Sequence, residues 1–209
     1  MLPVITISRE YGSAGRIIGQ KVAQQLSIPF YDTAILDQVT EQSGFAKEIV
    51  AEQGEYIKQH SKLWGSFNSF GGFYFDDPQN LIFKIQCQII RELAAKGPCL
   101  LVGRCADYVL EGHCDTLNVF IHADYQYRAK RVLEDYKETP SDIRKYLKQR
   151  DRNRATYYKY YTDREWSDFR NYNLNLDSGY LGIDLCAELI VLAAKRRDLS
   201  PEPTLPPLK

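Results

Sequence analysis

The sequence of 209 residues has no excess of charge of either sign: Lys plus Arg and Asp plus Glu each number 27. A balanced chain exerts no general attraction on nucleic acid or on an acidic membrane, so any basic site has to be local. Cysteines are few, and the five that occur (Cys87, Cys99, Cys105, Cys114 and Cys186) are odd in number and form no C-x-x-C pair. That pattern argues against a disulfide framework and against a structural zinc site. No stretch is apolar for the length needed to span a bilayer, and the opening MLPVITISRE has no basic segment leading into an apolar run. These absences predict a cytoplasmic protein with no membrane partner. No internal repeat is present.

What is present suits one α/β domain. Hydrophobic residues make up 44% and charged ones 26%, the ordinary range for a chain with a substantial core. Residues 3–8, PVITIS, are a β-branched apolar run. They lead through a Gly-containing loop into RIIGQKVAQQL at 16–26, where apolar spacing changes to about 3.6. This is strand, loop, helix. A short strand at 28–31 and a helix over 33–43 capped by Asp32-Thr33 follow. Helices are predicted at 79–96, 124–138, 141–161 and 182–197, and strands at 99–103, 116–122 and 172–177. The continuously apolar CLLVG at 99–103 reads as a strand covered on both faces. Strand–helix alternation of this kind predicts a three-layer α/β/α fold on a parallel sheet.

The domain is expected over 1–197, with a partly helical insertion at about 45–78 and a helical lid at about 148–168. The aromatic group at 64–75 surrounds Gly71-Gly72 and reads as the small core of that insertion. Residues 198–209, with four prolines, read as a flexible tail.

Chemistry concentrates first in Ser8-Arg9-Glu10-Tyr11-Gly12-Ser13-Ala14-Gly15-Arg16, between a strand and a helix. Small residues at 12–15 let the backbone approach a phosphate, while successive N–H groups and the helix N-terminus supply positive potential. Measured against G-x-x-x-x-G-K-[ST], Glu10 stands for the first glycine, Arg16 for the lysine and Ile17 for the magnesium-binding hydroxyl. The expected nucleotide-binding residues are therefore Gly12, Ser13, Ala14, Gly15, Arg16 and Ile17.

Four further segments agree in order and spacing: Tyr31-Asp32-Thr33-Ala34-Ile35, Val102-Gly103-Arg104, Asp151-Arg152-Asn153-Arg154-Ala155 and Leu176-Asp177-Ser178. Across most of its length the chain resembles bacterial cytidylate kinase, and more closely the cytidylate kinase-like family that opens with I-S-R-x-Y-G-S-x-G-R. The resemblance implies the P-loop nucleoside-monophosphate kinase fold, ATP and magnesium as cofactors, and a small phosphorylated acceptor. It implies catalytic roles for Arg16, Arg152 and Arg154, and acceptor contacts by Asp32, Thr33, Arg104, Asp151 and Arg154. No direct protein ligand to the metal is expected; Asp32 would reach it through water. Asp151 would bind acceptor ribose or orient an arginine, and either aspartate has a helix cap as its competing role.

Phosphoryl transfer asks a protein mainly to hold two reactants in line and to place positive charge where negative charge accumulates. Arginine serves this purpose with a bidentate fork where lysine acts as a point charge. Two departures bear on the acceptor. Gln38 occupies the place of an arginine that contacts the cytosine nucleotide in the kinase pattern, and Leu147 replaces the first arginine of the lid motif. A catalytically weak nucleotide-binding module is the alternative, favoured by Glu10 and Ile17. Nucleic-acid binding through the basic helix at 141–161 is weaker, because one basic helix in a neutral chain leaves little electrostatic footprint.

Overall fold

The computed structural model describes residues 2–44 and 78–196. Five strands form one wholly parallel sheet: β1 (Val4–Arg9), β2 (Phe30–Tyr31), β3 (Leu100–Val102), β4 (Thr116–His122) and β5 (Leu174–Asp177), in the order β2-β3-β1-β4-β5. The register sets Ile7 beside Val102 and Val119, so β1 is central. Ile5, Ile7, Leu100, Leu101, Val102, Val119 and Ile121 are all buried, as strands covered on both faces require. Burying each such side chain stabilises the fold by roughly 1.5–3 kcal/mol.

Period-two alternation sends these residues to two cores. On one face Ile5, Ile7, Leu100 and Val119 meet α1 (Gly15–Leu26) and α7 (Ser178–Arg196) through Ile18, Val22, Cys186 and Ile190. On the other, Val4, Leu101 and Phe120 pack with α2 (Thr33–Ser43), α3 (Pro78–Ala95), α4 (Ala106–Val109) and Tyr157 and Tyr158 of α6 (Ile143–Thr162). A third, smaller cluster joins α5 (Tyr125–Glu134) to α6 through Ala129, Val132 and Leu147. The three-layer α/β/α arrangement expected from the sequence is the one observed.

Some boundaries differ from the sequence reading. The closing helix starts at Ser178 rather than 182, because Gly182 takes a left-handed φ of 78° and breaks the run, so regular apolar spacing begins only beyond the kink. The short α4 follows β3 directly and is too brief to show periodicity. Helix α5 stops at Glu134. Asp32 stands at the N-cap position of α2 but accepts no hydrogen bond there; its carboxylate faces Arg16 instead. The insertion at 45–78, apart from Pro78 in α3, and the tail at 198–209 lie outside the described residues.

Candidate active site

The loop between β1 and α1 curls because three small residues permit it. Gly12 has φ 82°, and a Cβ there would lie 2.8 Å from the carbonyl oxygen of Arg128. A Cβ on Gly15 would lie 2.6 Å from Cβ of Arg9. Ala14 precedes the helix in the left-handed region, with φ 62°. Between them Ser13 is fully buried, and its hydroxyl is shared between the carbonyls of Glu10 (2.9 Å) and Ile121 (3.1 Å). The Ser13 carbonyl in turn accepts from the Ser178 hydroxyl at 2.7 Å. The loop is thus fixed from beneath by the ends of β4 and α7, while its other side faces a cavity of about 500 Å³. Arg9, Glu10, Tyr11, Gly12, Ala14, Gly15, Arg16, Ile17, Gln20, Tyr136, Glu138 and Arg154 line that cavity. The first turn of α1 opens there, which gives an anion the helix N-terminus and its unbonded N–H groups.

Helix α6 lies over this loop. Asp151 accepts the Tyr11 backbone N–H at 2.7 Å and pairs with Nη1 of Arg128 at 2.5 Å. Arg128 also donates to the Tyr11 carbonyl at 3.3 Å and lies 3.5 Å from the Glu10 carboxylate. Arg154 donates to the Arg9 carbonyl at 3.0 Å. Glu10 is held at one oxygen by the Ala123 N–H at 3.2 Å, and burial raises its pKa above the ordinary carboxylate range despite the opposing charge of Arg128.

A second, much smaller cavity of about 20 Å³ opens beside the first, lined by Ser8, Arg9, Gly103, Arg104, Cys105, Arg154, Tyr157, Tyr158 and Trp166. Arg104 is only 6% exposed, and its Nε and Nη1 find no hydrogen-bond partner among the described residues. Its backbone is strained: Gly103, Arg104 and Cys105 have successive φ values of 72°, 63° and 54°. Two non-glycine residues in that region cost of order 1–3 kcal/mol each, and such strain collects at ligand sites. A buried guanidinium with unused donors is completed by an anion. Nearby, Asp107 accepts from the Tyr158 hydroxyl at 2.6 Å, and burial raises its pKa.

The site residues expected from the sequence are distributed unevenly. Gly12, Ala14, Gly15, Arg16, Ile17 and Arg154 line the larger cavity, Arg104 and Arg154 the smaller one, and Ser13 lies under the loop. Arg16 is half exposed and bonds Asp32 through Nε at 2.9 Å, tying the loop to the segment after β2. Thr33 is exposed at the start of α2, and Arg152 is exposed on the outer side of α6, lining neither cavity. Asp151 engages Arg128 and the loop backbone. Tyr11, Arg128 and Glu138, to which the sequence reading gave no role, are also here. Arg150, beside the lid arginines in sequence, lies four residues before Arg154 and shares with it a helix face over the Tyr11 ring that Arg152 does not. Leu147, at the departed arginine position, is 1% exposed and belongs to the α5–α6 core.

Among the described residues no group of three or more His, Cys, Asp or Glu is arranged to hold a metal, and no helix is long and apolar enough to cross a membrane. The loop fits a polyphosphate by its glycine approaches and open helix end. A magnesium ion would lean on phosphate and water oxygens, since Ile17 offers none.

The fold is shared with solved structures. An uncharacterized protein from Eubacterium ventriosum aligns at 24% identity over 93% of this chain and 99% of its own, with a TM-score of 0.70. Shikimate kinase from Bacteroides thetaiotaomicron aligns at 13% identity over 95% and 99%, with a TM-score of 0.55. A gluconokinase from Sinorhizobium meliloti aligns at 15% identity over 94% and 96%, with a TM-score of 0.52. At such identity these likenesses speak for the shared architecture alone. No curated protein matches the sequence. The family model described as cytidylate kinase-like matches residues 4–180, a span containing the phosphate loop, Arg104 and the lid, and the chain belongs to that family.

Proposed function

We propose that the protein is a kinase that moves the γ-phosphoryl group of ATP, with magnesium, to a small anionic acceptor, a nucleoside monophosphate of the CMP or dCMP type. The observation that carries this reading is the placement of Arg154. It lines both the phosphate-loop cavity and the Arg104 cavity, where charge accumulates if a phosphoryl group passes between them. ATP supplies the transferable group, and magnesium neutralises its terminal phosphates when both are bound.

In this reading the loop N–H groups at 12–17 bind the donor phosphates, with Arg16 released from Asp32 to add its fork. Arg104 holds the acceptor's anionic group by the donors that have no partner among the described residues. Arg154, fixed to the Arg9 carbonyl, stabilises the group in flight. Arg152 reaches the phosphates only if α6 moves, since it faces outward. Asp32 acts by holding Arg16 and, through water, the ion. Closure of the lid excludes water that would otherwise hydrolyse the donor.

The Arg16–Asp32 pair supports a second reading, a nucleotide-binding module with weak turnover, because the cation at the lysine position already has a carboxylate partner. Transfer from γ-labelled ATP to a panel of nucleoside monophosphates, in wild type and Arg16→Ala, separates the two. The panel includes shikimate and gluconate, since a carboxylate satisfies the same guanidinium fork as a phosphate. Labelling of CMP that the variant loses is the expected result. Tight ATP binding with no acceptor labelled favours the module.

A further inference from the structure

We infer that Tyr11 is a positioning residue whose ring orients the lid arginines Arg150 and Arg154, the second of which lines the phosphate cavity. The inference rests on the phosphoryl-transfer reading above. The guanidinium carbons lie 5.1 Å (Arg150) and 5.3 Å (Arg154) from the centroid of the Tyr11 ring, one helical turn apart on α6. One aromatic ring of the loop therefore contacts two successive turns of the lid. The ring is itself fixed: Tyr136 and Tyr146 meet it edge-on, each at 5.9 Å between centroids. Its hydroxyl donates to Glu138 at 2.8 Å, and its backbone N–H is held by Asp151 at 2.7 Å.

The choice of an aromatic partner has a physical consequence. A carboxylate would neutralise a lid arginine and compete with phosphate for it. The face of an aromatic ring attracts a guanidinium through its quadrupole and leaves the positive charge undiminished. The Tyr11 ring therefore orients these groups beside an anion site without itself adding an opposing charge. Because it belongs to the loop, any ligand that orders residues 10–15 also orders the lid.

The test compares Tyr11→Phe, which keeps the ring and removes the Glu138 bond, with Tyr11→Leu, which removes the ring. Calorimetry reads affinity for magnesium-ADP and for inorganic tripolyphosphate, and hydrogen exchange reads amides 150–158 with no ligand present. Tyr11→Phe is expected within about twofold of wild type in affinity. Tyr11→Leu is expected to bind about tenfold more weakly, as loss of two partly desolvated cation–π contacts implies, and to exchange faster at 150–158. Tyr11→Leu added to Arg154→Ala should weaken binding less than it does alone, because the ring acts through the arginine. Should Tyr11→Leu fail to fold, Tyr11→Met offers a longer, adaptable side chain without an aromatic face.

Wild-type affinity and exchange in the ring-less variant overturn the proposal. So does equal damage from Tyr11→Phe, or full multiplication of effects in the double variant. If wild type binds neither probe, the kinase reading fails, and the exchange result alone then decides whether Tyr11 holds the lid.

Discussion

The phosphate loop and the Arg104 cavity lie side by side and are built on opposite principles. In the loop almost every charged group has a partner within the protein: Asp151 with Arg128 and a loop N–H, Glu10 with Arg128 and Ala123, Arg16 with Asp32. At the cavity, Arg104 is buried on a strained backbone, and two of its donors have no partner among the described residues. The first region is preorganised by its own contacts and costs little to keep empty. The second stores unfavourable free energy that an anion would release. A site that binds a common donor phosphate benefits from the first arrangement, and a site that selects its acceptor from the second, because a wrong ligand leaves the donors unsatisfied.

The largest effect should come from removing the unsatisfied charge. Arg104→Met is expected to lower kcat/KM for the acceptor by roughly 100- to 1000-fold, the loss typical of a desolvated charge-assisted contact. It should also raise the thermal midpoint of the ligand-free protein, since an apolar side chain of similar length replaces a buried cation two of whose donors lack a partner among the described residues. Calorimetric melts beside acceptor kinetics check both signs. A variant that loses activity and stability together would show Arg104 to be satisfied within the protein.

On the loop side the opposite pattern is expected. Asp151→Asn takes from Arg128, which is 12% exposed, the nearer of its two carboxylates and leaves only Glu10 at 3.5 Å. It should destabilise the protein by roughly 1–3 kcal/mol while weakening ATP binding, measured by denaturant unfolding and calorimetry. Here stability and binding fall together because the same contact serves both.

Titration sharpens the contrast further. Burial raises the pKa of Asp107, opposed by the Tyr158 hydroxyl bond and the charge of Arg164. A carboxyl raised in the folded state contributes stability that is fully present below its unfolded value, near 3.8, and lost as pH rises through the folded value. Asp107→Asn should therefore leave the midpoint unchanged at acid pH below that value. Above it the midpoint of the variant should exceed that of wild type, by more as pH rises toward neutral. Melts across pH 3–8 read the difference, and a variant less stable at neutral pH would show the ionised carboxylate to be favoured.

Much of this was legible in the sequence, for reasons that can be named. The sheet was legible because β1, β3 and β4 are buried on both faces and read as continuous apolar runs, and the loop because small residues stand between a strand and a helix. Arg104 was legible from its place directly after a buried strand. Tyr11, Arg128 and Glu138 were not, because the bonds that join Tyr11 to Glu138 and to Arg128 span more than 100 residues and no local period encodes them. Arg152 and Arg154 were read alike as lid arginines, yet the helical turn separates them: two positions on, the side chain points elsewhere. Gly182 hid the start of α7 by interrupting the period that reveals a helix.

The smallest expected effect tests how far the loop's preorganisation extends. Lys21 of α1 pairs with Asp184 of α7 on the surface, with side-chain exposures of 43% and 78%. Pairs so exposed are screened by solvent and hold long side chains at an entropic cost, so Lys21→Met should change unfolding free energy by no more than about 0.5 kcal/mol. ATP affinity should be unaltered, since the loop is held at Ser13, Tyr11 and Glu10 and not from the middle of α1. A tenfold loss of affinity in Lys21→Met would mean that the α1–α7 contact sets the angle at which the helix N-terminus meets the phosphates. Preorganisation would then belong to the whole helix pair, and the contrast between the two cavities would narrow to the state of Arg104 alone.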